Sequence, residues 1–217
     1  MLGYKCHRSS CGAAGRVPLI GEERVQPKSK HSATLTFVNP TDEDRELYRK
    51  QFGLENPLVA VASTDRRWFV VHLRKHDGSK FGYHRRITDK SQLFPKEPKA
   101  KTHKDEKYPL AFFRNSPFNS TLVVVEDPWS ALRIERLPVL RMDAAAICGG
   151  DWTKEAAQLV ARKYGRVILA LDRDAQAKAV RQAIQHQHIQ PVRVIIPRVD
   201  FKNMDDDEII ATLGEQS

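Results

Sequence analysis

The chain is poor in cysteine and lacks long apolar runs. Its 217 residues include three cysteines, Cys6, Cys11 and Cys148, which are too few for a disulfide framework. No window approaches the roughly 20 apolar residues that a membrane helix needs. The N-terminal residues contain no apolar core of the signal-peptide kind. We therefore expect a cytoplasmic protein with no membrane partner.

Negative charge is sparse in the first half of the chain. Up to Asn115 there are 23 Lys and Arg residues against 13 Asp and Glu residues, whereas from Ser116 onward the numbers are 13 and 14. The net charge of +9 therefore comes entirely from the first half. A basic half favours binding of a polyanion such as nucleic acid, and the alternative is a lysine-rich solvated surface.

The chain is predicted to have three parts. Residues 1–33 show no sustained periodicity and are interpreted as a loop or small ribbon. Residues 34–115 form a smaller basic α+β subdomain. It has a helix in PTDEDRELYRKQFGL, a strand in PLVAVAS and a hairpin in RRWFVVHLRKHDGSKFGYHRRIT that turns at Asp77-Gly78. It ends in the Pro- and Lys-rich stretch PKEPKAKTHKDEKYP, which is predicted to be an exposed linker.

Residues 116–217 are predicted to alternate strands and helices. The strands lie in STLVVVED, AAAICGG, RVILALD and PVRVIIP. The helices between them lie in PWSALRIERL, DWTKEAAQLVARKYG and RDAQAKAVRQAIQHQH. Continuous apolar strands are typical of a parallel sheet buried on both faces, so the predicted fold class is α/β with helices flanking the sheet.

Acidic side chains follow these strands. Glu126 and Asp127 end the first strand, Asp172 and Asp174 end the third, and DFKNMDDDE follows the fourth. Ligands of open α/β sheets bind at this end of the strands. Carboxylates from separate loops suit Mg²⁺, and two such ions about 4 Å apart stabilise phosphoryl transfer. The alternative is that these acids form solvated turns and helix caps.

The segments LVVVED, WSALRI and VILALDRDAQAKAV together resemble the Toprim domain shared by primases, topoisomerases and some nucleases. The resemblance covers about the last 100 residues. It implies a catalytic role for Glu126, Asp172 and Asp174, which would also bind Mg²⁺ or Mn²⁺. It places a further acid of the metal site at Glu155 and, loosely, at Asp205, and Asp127 beside Glu126 is an additional candidate ligand.

Within the Toprim proteins, the chain looks most like the catalytic core of bacterial and phage primases. VVHLRKHDGSKFGYHRR is similar to a primase segment before the Toprim part, and YKCHRSSCGAAGRV resembles the second half of a primase zinc ribbon. The chain departs from the family at Asp127, where primases usually have Gly, and at Ser130, where they often have Asp. The family's K-D-x-x-D tail is matched loosely, through Asp200 and Asp205.

A structural zinc site needs four ligands. Only Cys6 and Cys11 are available as a pair, with His7 beside them, so Zn²⁺ is the less favoured cofactor. Either the ribbon has decayed, or its first half lies upstream, or another chain supplies the missing ligands. Cys148 lies in a predicted core strand and is interpreted as a small buried hydrophobe.

Basic and aromatic residues alternate in the predicted hairpin, a pattern that suits single-stranded nucleic acid. The run from Trp68 to Val71 is nevertheless interpreted as core, and the basic residues as the nucleic-acid contacts. The primase resemblance favours Arg85 and Arg86 among them. The predicted contacts are Arg66, Arg67, Arg74, Lys75, Lys80, Arg85 and Arg86.

The leading hypothesis is a primase-like nucleotidyltransferase, a DNA-directed RNA polymerase from a phage or another mobile element. If a phage encodes it, we expect it in the host cytoplasm. It would make short RNA primers on single-stranded DNA from nucleoside triphosphates, with Mg²⁺ or Mn²⁺. The sequence contains no P-loop, so unwinding would need a separate replicative helicase. One alternative is a Toprim-class metal-dependent nuclease. The other is a non-catalytic, nucleic-acid-binding replication accessory protein, which the departures at Asp127 and Ser130 favour.

Overall fold

The computed structural model describes residues 2–5, 14–17, 37–53, 60–63, 66–114 and 119–214. The chain divides into two compact units, Met1–Leu35 and Thr36–Ser217. In the first unit, β1 (Leu2–Lys5) and β2 (Ala14–Val17) form an antiparallel ribbon. The predicted zinc ligands Cys6 and Cys11 lie outside the described residues. The predicted domain boundaries at residues 33 and 115 stay predictions.

The second unit begins with an antiparallel sheet. In spatial order its strands are β3 (Phe37–Val38), β4 (Ala60–Ser63), β5 (Trp68–Arg74), β6 (Lys80–Ile87) and β7 (Ala100–Lys104). The predicted hairpin is confirmed as β5 and β6, which turn at Asp77 and Gly78. The Asp77 carboxylate accepts a hydrogen bond from the Ser79 amide at 2.9 Å, which stabilises the turn.

The predicted linker is partly wrong, because β7 lies within it and pairs with β6. The residues of β7 are largely exposed and polar, so the sequence contains no apolar run that would predict a strand. The strand forms because its backbone pairs with β6. Gly82 allows the two strands to approach closely. Its φ is +154°, and a Cβ atom there would collide with the carbonyl oxygen of His103.

The predicted helix after residue 40 is confirmed as α1 (Asp42–Phe52). Thr41 and Asp44 form a capping box, in which each side chain accepts a hydrogen bond from the other's backbone amide. Gly53 ends the helix in the left-handed conformation, with φ of 62°. Local sequence signals therefore define both ends of α1.

The second sheet is mostly parallel, as predicted. Its spatial order is β12 (Val192–Val194), β11 (Arg166–Leu169), β9 (Thr121–Val125), β10 (Met142–Ala146) and β8 (Ala111–Phe113). β8 pairs antiparallel with β10, while the other neighbours are parallel. No strand is predicted at β8 from the sequence. β12 is short and lies between Pro191 and Pro197.

Helices cover both faces of the second sheet. Their bounds are α2 (Pro128–Glu135), α3 (Lys154–Ala161), α4 (Gln176–His186) and α5 (Asp206–Gly214). α2 and α5 pack on one face, and α3 and α4 pack on the other. This arrangement confirms the predicted α/β class with a flanked sheet. None of the described helices is long and apolar enough to cross a membrane.

One hydrophobic core joins the two sheets of the second unit. It contains Phe69 from the first sheet, Phe52 from α1 and Trp129 from α2, together with strands of the second sheet. The rings of Phe52 and Trp129 stack with centroids 4.6 Å apart. Trp129 and Trp152 are both fully buried, so they anchor helices to the sheet. The core also confirms the interpretation of Trp68 to Val71 as buried residues.

Candidate active site

β9 lies at the point in the second sheet where successive strands are added first on one side and then on the other. The chain passes from β9 through α2 to β10 on one side, and later returns through α3 to β11 on the other side. The Cys148 amide donates a hydrogen bond to the Glu126 carbonyl at 2.9 Å, and the Ala170 amide donates to the Val124 carbonyl at 2.8 Å. The ends of three strands therefore meet around Glu126, as expected for a ligand crevice.

Glu126 follows β9 directly and is half-buried. Its Oε2 atom is buried and has no hydrogen-bond partner among the described residues. Burial raises the pKa of this carboxyl, and the negative charges of Asp174 and Asp127 raise it further. A buried carboxylate oxygen without a donor is costly, so a cation bound at this oxygen would be stabilising.

Asp172 and Asp174 follow β11, on the other side of the crevice. Burial raises the pKa of Asp172 to about 7, and Asp200 and Glu126 add to this effect while the charge of Lys202 opposes it. Asp174 is exposed in the short helix Arg173–Ala175. Neither this short helix nor α4 has a side-chain cap, so these acids do not serve as helix caps.

The pair Glu126 and Asp172, called here the carboxylate pair, is suited to a divalent cation. Burial and neighbouring negative charges raise the pKa of both carboxyl groups, and the buried Oε2 atom of Glu126 has no hydrogen-bond partner among the described residues. Hard oxygen donors of this kind are what Mg²⁺ and Mn²⁺ bind. Across the described part of the chain, no three His, Cys, Asp or Glu side chains converge closely enough to hold an ion. A bound ion would therefore complete its coordination with water, or with Asp174 after a change in the conformation of that exposed side chain.

Asp127 is fully engaged within the protein. One of its oxygens accepts hydrogen bonds from the amides of Trp129 and Ser130, at 2.9 and 3.2 Å. The other accepts from the Ser130 hydroxyl at 3.1 Å and from the Lys202 ammonium at 2.8 Å. Burial acts to raise the pKa of Asp127, but the contacts with Lys202 and Ser130 outweigh it and lower the pKa. Asp127 thus caps α2 and pairs with a lysine.

Lys202 is a functional candidate that the sequence pattern did not reveal. Its side chain is 10% exposed and also pairs with Asp200, at 2.6 Å. Burial lowers the pKa of Lys202, but Asp127 and Asp200 outweigh this effect and raise it. The available signal was a single lysine inside the acidic segment DFKNMDDDE, 75 residues from its partner Asp127.

Glu155 and Asp205, the other two predicted metal ligands, are exposed at the starts of helices. Glu155 is exposed in the first turn of α3. Asp205 is exposed and forms a capping box with Glu208 at the start of α5, through hydrogen bonds of 2.8 and 3.1 Å. It also lines an open cavity of about 760 Å³ together with Arg133. The carboxylates that act on Glu126 are instead Asp174, Asp127 and Asp200.

A small cavity of about 80 Å³ adjoins Glu126. Gly149 lines it with φ of +75°, and Lys178 lines it while pairing with the exposed Asp151. Cys148 precedes the glycine and is buried, as predicted. Burial raises the pKa of its thiol to about 12, so Cys148 is not a thiolate ligand.

The predicted nucleic-acid contacts fall into two groups. In the first, Arg66 pairs with Asp44, Arg67 with Glu97 and Lys75 with Glu106. Arg74 belongs with these, because it donates to the Gly78 carbonyl at 3.0 Å. The second group has no acidic partner within ion-pair distance among the described residues and comprises Lys80, Arg85 and Arg86.

β6 brings part of the second group close to the Asp127–Lys202 pair. Arg85 lies 4.3 Å from the centre of the Trp68 ring, and Arg86 lies 5.6 Å from that of Phe52. His84 precedes Arg85 in β6, is buried, and shares a 2.9 Å hydrogen bond with Thr102. Burial lowers the pKa of His84 to about 4, although the nearby charge of Asp127 opposes this. The first sheet thus borders the Asp127–Lys202 pair.

The fold is similar to the catalytic cores of bacterial primases. The E. coli primase catalytic core matches with a TM-score of 0.53 and 16% identity, over 83% of this chain and 66% of that one. A DNA primase domain from Pseudomonas aeruginosa matches with a TM-score of 0.54 and 16% identity, over 83% and 65%. A DnaG primase catalytic domain bound to single-stranded DNA matches with a TM-score of 0.53 and 18% identity, over 81% and 59%.

These similarities concern the fold, since all identities are below 20%. The chain spans between 59% and 66% of the length of these three structures. No protein-family model matches the sequence, and no curated protein matches it. The class that fold and crevice define is therefore a mixed α/β protein with the architecture of a primase catalytic core.

Proposed function

We propose that the protein is a primase-like nucleotidyltransferase of the Toprim type that makes short RNA primers on single-stranded DNA. The observation that carries the proposal is the carboxylate pair at the reversal point of a sheet like that of primase cores. Charge asymmetry along the chain supports nucleic acid as the partner. A phage or mobile-element origin belongs to the same proposal.

Glu126, Asp172 and Asp174 would hold Mg²⁺ or Mn²⁺. When bound, the ion supplies positive charge for the triphosphate and acidifies the primer 3′ hydroxyl. The fold positions Glu126 through the pairing of β9 with both neighbours, and Asp127 keeps the start of α2 in place. The chain's own contribution is therefore to hold carboxylates where two strands end.

Lys80, Arg85 and Arg86 would bind the phosphates of the template. They form no ion pair with an acid among the described residues, in contrast to Arg66 and Arg67. Because Arg86 lies over Phe52 in the shared core, template bound there would lie near the carboxylate site. Nucleoside triphosphates are the second substrate, and a separate helicase would open the duplex.

A primer-synthesis assay tests the proposal. The full chain is incubated with single-stranded DNA templates, the four nucleoside triphosphates and Mg²⁺ or Mn²⁺. We expect short RNA products, and a loss of at least about 100-fold in the Glu126→Gln variant. Glu43→Gln is the matched control, because this glutamate is exposed in the first turn of α1 and is not among the predicted site residues, so its yield should stay near wild type.

Two results would contradict primer synthesis. One is the absence of RNA product from the wild-type protein over a range of templates. The other is shortening of the DNA strands, which would indicate the Toprim-class nuclease, since the same acids would then activate water.

A non-catalytic, nucleic-acid-binding accessory protein is the second candidate. The observation that favours it is that no three potential metal ligands converge in the described part of the chain. Asp127 is also engaged by Lys202 and the helix cap. Under this alternative, the double substitution Asp172→Ala and Asp174→Ala would leave DNA binding and function in the host intact. Primase function predicts that host function is lost while the protein stays folded.

A further inference from the structure

Lys202 places a positive charge inside the group of acids at the strand ends. Its ammonium lies 2.8 Å from an Asp127 oxygen and 2.6 Å from an Asp200 oxygen. Its side chain is 10% exposed, so these contacts are only weakly screened by water. A buried ammonium between two carboxylates is held firmly, because removing either partner leaves an uncompensated charge.

The same ammonium is also held beside the carboxylate pair. Its partner Asp127 directly follows Glu126 in the chain, at the end of β9. One fixed positive charge thus serves two acids directly, next to the acids proposed to hold the ion. This is the electrostatic task that a second metal ion performs in two-metal sites.

Asp127 cannot serve a second ion in this arrangement. Both of its oxygens already accept hydrogen bonds, from the start of α2 and from Lys202. An ion bound to Asp127 and Asp200 would have to displace Lys202, whose ammonium would then be buried without a partner. The acids that remain for a metal are Glu126, Asp172 and Asp174.

We propose that Lys202 takes the place of a second divalent cation, so that the site holds one ion, through Glu126, Asp172 and Asp174. This inference rests on the proposed metal-dependent function and specifies how many ions that function uses. Lys202 is a positioning residue in this scheme, since it acts on the acids and does not touch the substrate.

The test counts ions bound by the full chain. Mn²⁺ alone is titrated into metal-free protein, and free Mn²⁺ is followed by its electron paramagnetic resonance signal. We expect one Mn²⁺ per chain for the wild-type protein. Two ions of comparable affinity would overturn the inference and leave the proposed function standing. Absence of binding would overturn the metal-dependent function, and the inference with it.

A substitution tests the role of Lys202 itself. In Lys202→Met, Asp127 and Asp200 lose their ammonium, and we expect the count to rise from one Mn²⁺ to two. Lys178→Met is the matched control. Lys178 also lies beside Glu126, but its ion pair is with Asp151, so the count should stay at one.

A folded Lys202→Met protein that still binds one ion would overturn the inference. Folding of each variant is checked by circular dichroism. If Lys202→Met fails to fold, the wild-type count still decides between one ion and two, because it needs no substitution.

Discussion

Glu126 and Asp127 are adjacent in the chain, but their carboxylates differ in hydrogen bonding. Glu126 has a buried oxygen without a partner, whereas both oxygens of Asp127 accept hydrogen bonds. The pKa of Glu126 is accordingly raised, chiefly by burial. Burial also acts on Asp127, but Lys202 and Ser130 reverse its effect and lower the pKa. The hydrogen bonds of each carboxylate therefore identify Glu126 as a candidate metal ligand and Asp127 as the cap of α2.

Asp172→Asn should stabilise the metal-free protein at high pH. The folded protein raises the pKa of Asp172 to about 7, from an ordinary value of 3.8. The fold therefore favours the protonated acid, and stability is lost as pH rises from 3.8 through about 7. We expect no advantage for the variant near about pH 4, and about 2 kcal/mol in its unfolding free energy near about pH 8. Urea denaturation in metal-free buffer measures both.

Asp151→Asn is the control for this experiment. Asp151 is about half exposed and pairs with Lys178, so its removal should give no comparable gain. An advantage of Asp172→Asn that grows as pH falls would contradict the assigned direction of the shift.

Buried polar contacts tie individual elements together in the second sheet. Asp143 in β10 is 1% exposed and accepts hydrogen bonds from Asn119 and from the Tyr164 hydroxyl, each at 2.8 Å. Arg114 lies 3.3 Å from the same carboxylate. This contact set connects β10 with the segment before β9 and with the residue that follows α3.

Asp143→Ala should destabilise the protein by about 3 kcal/mol, because it leaves Tyr164 and Arg114 without their buried partner. The exposed Asp105, which pairs with His103, provides the comparison. Asp105→Ala should change stability by no more than about 0.5 kcal/mol. Chemical denaturation of both variants measures the difference. Equal losses in the two would show that Asp143 makes no special contribution.

Elements with local signals were predictable from the sequence. The apolar strands β9 and β11 and the helices α1 and α2 appear where expected. β7 was missed because its exposed Lys and Thr residues are ordered only by pairing with β6. Lys202 was missed because its partner Asp127 is 75 residues away, and no spacing rule connects them. The features that could not be predicted are therefore contacts between residues that lie far apart in the sequence.

At the scale of the whole molecule, the basic and acidic parts of the second unit share one core. The Arg133 side chain on α2 connects these two parts by hydrogen bonds to backbone carbonyls in each of them. It donates to the Gly53 carbonyl at 2.7 Å and to the Met204 carbonyl, and pairs with Asp206 at 3.0 Å. Its side chain is 4% exposed. A single guanidinium therefore joins the end of α1 to the segment that carries Lys202.

Arg133→Met should lower the unfolding free energy by about 3 kcal/mol. The substitution keeps much of the apolar volume but leaves two backbone carbonyls without their buried donor and removes one of the two arginines paired with Asp206. Arg136 pairs with the same Asp206 from a more exposed position, so Arg136→Met should cost about 1 kcal/mol or less. Urea denaturation compares the two. A larger loss in Arg136→Met than in Arg133→Met would contradict this assignment.

The short strand β12 has a consequence for self-association. It is the outermost described strand on its side of the sheet and has three residues, between Pro191 and Pro197. Proline has no amide hydrogen to donate, and Arg193 adds an exposed charge in the middle of the strand. Such an edge discourages a second molecule from extending the sheet by strand addition. Concentrated protein should therefore resist aggregation by this route, even though the neighbouring strands are strongly apolar.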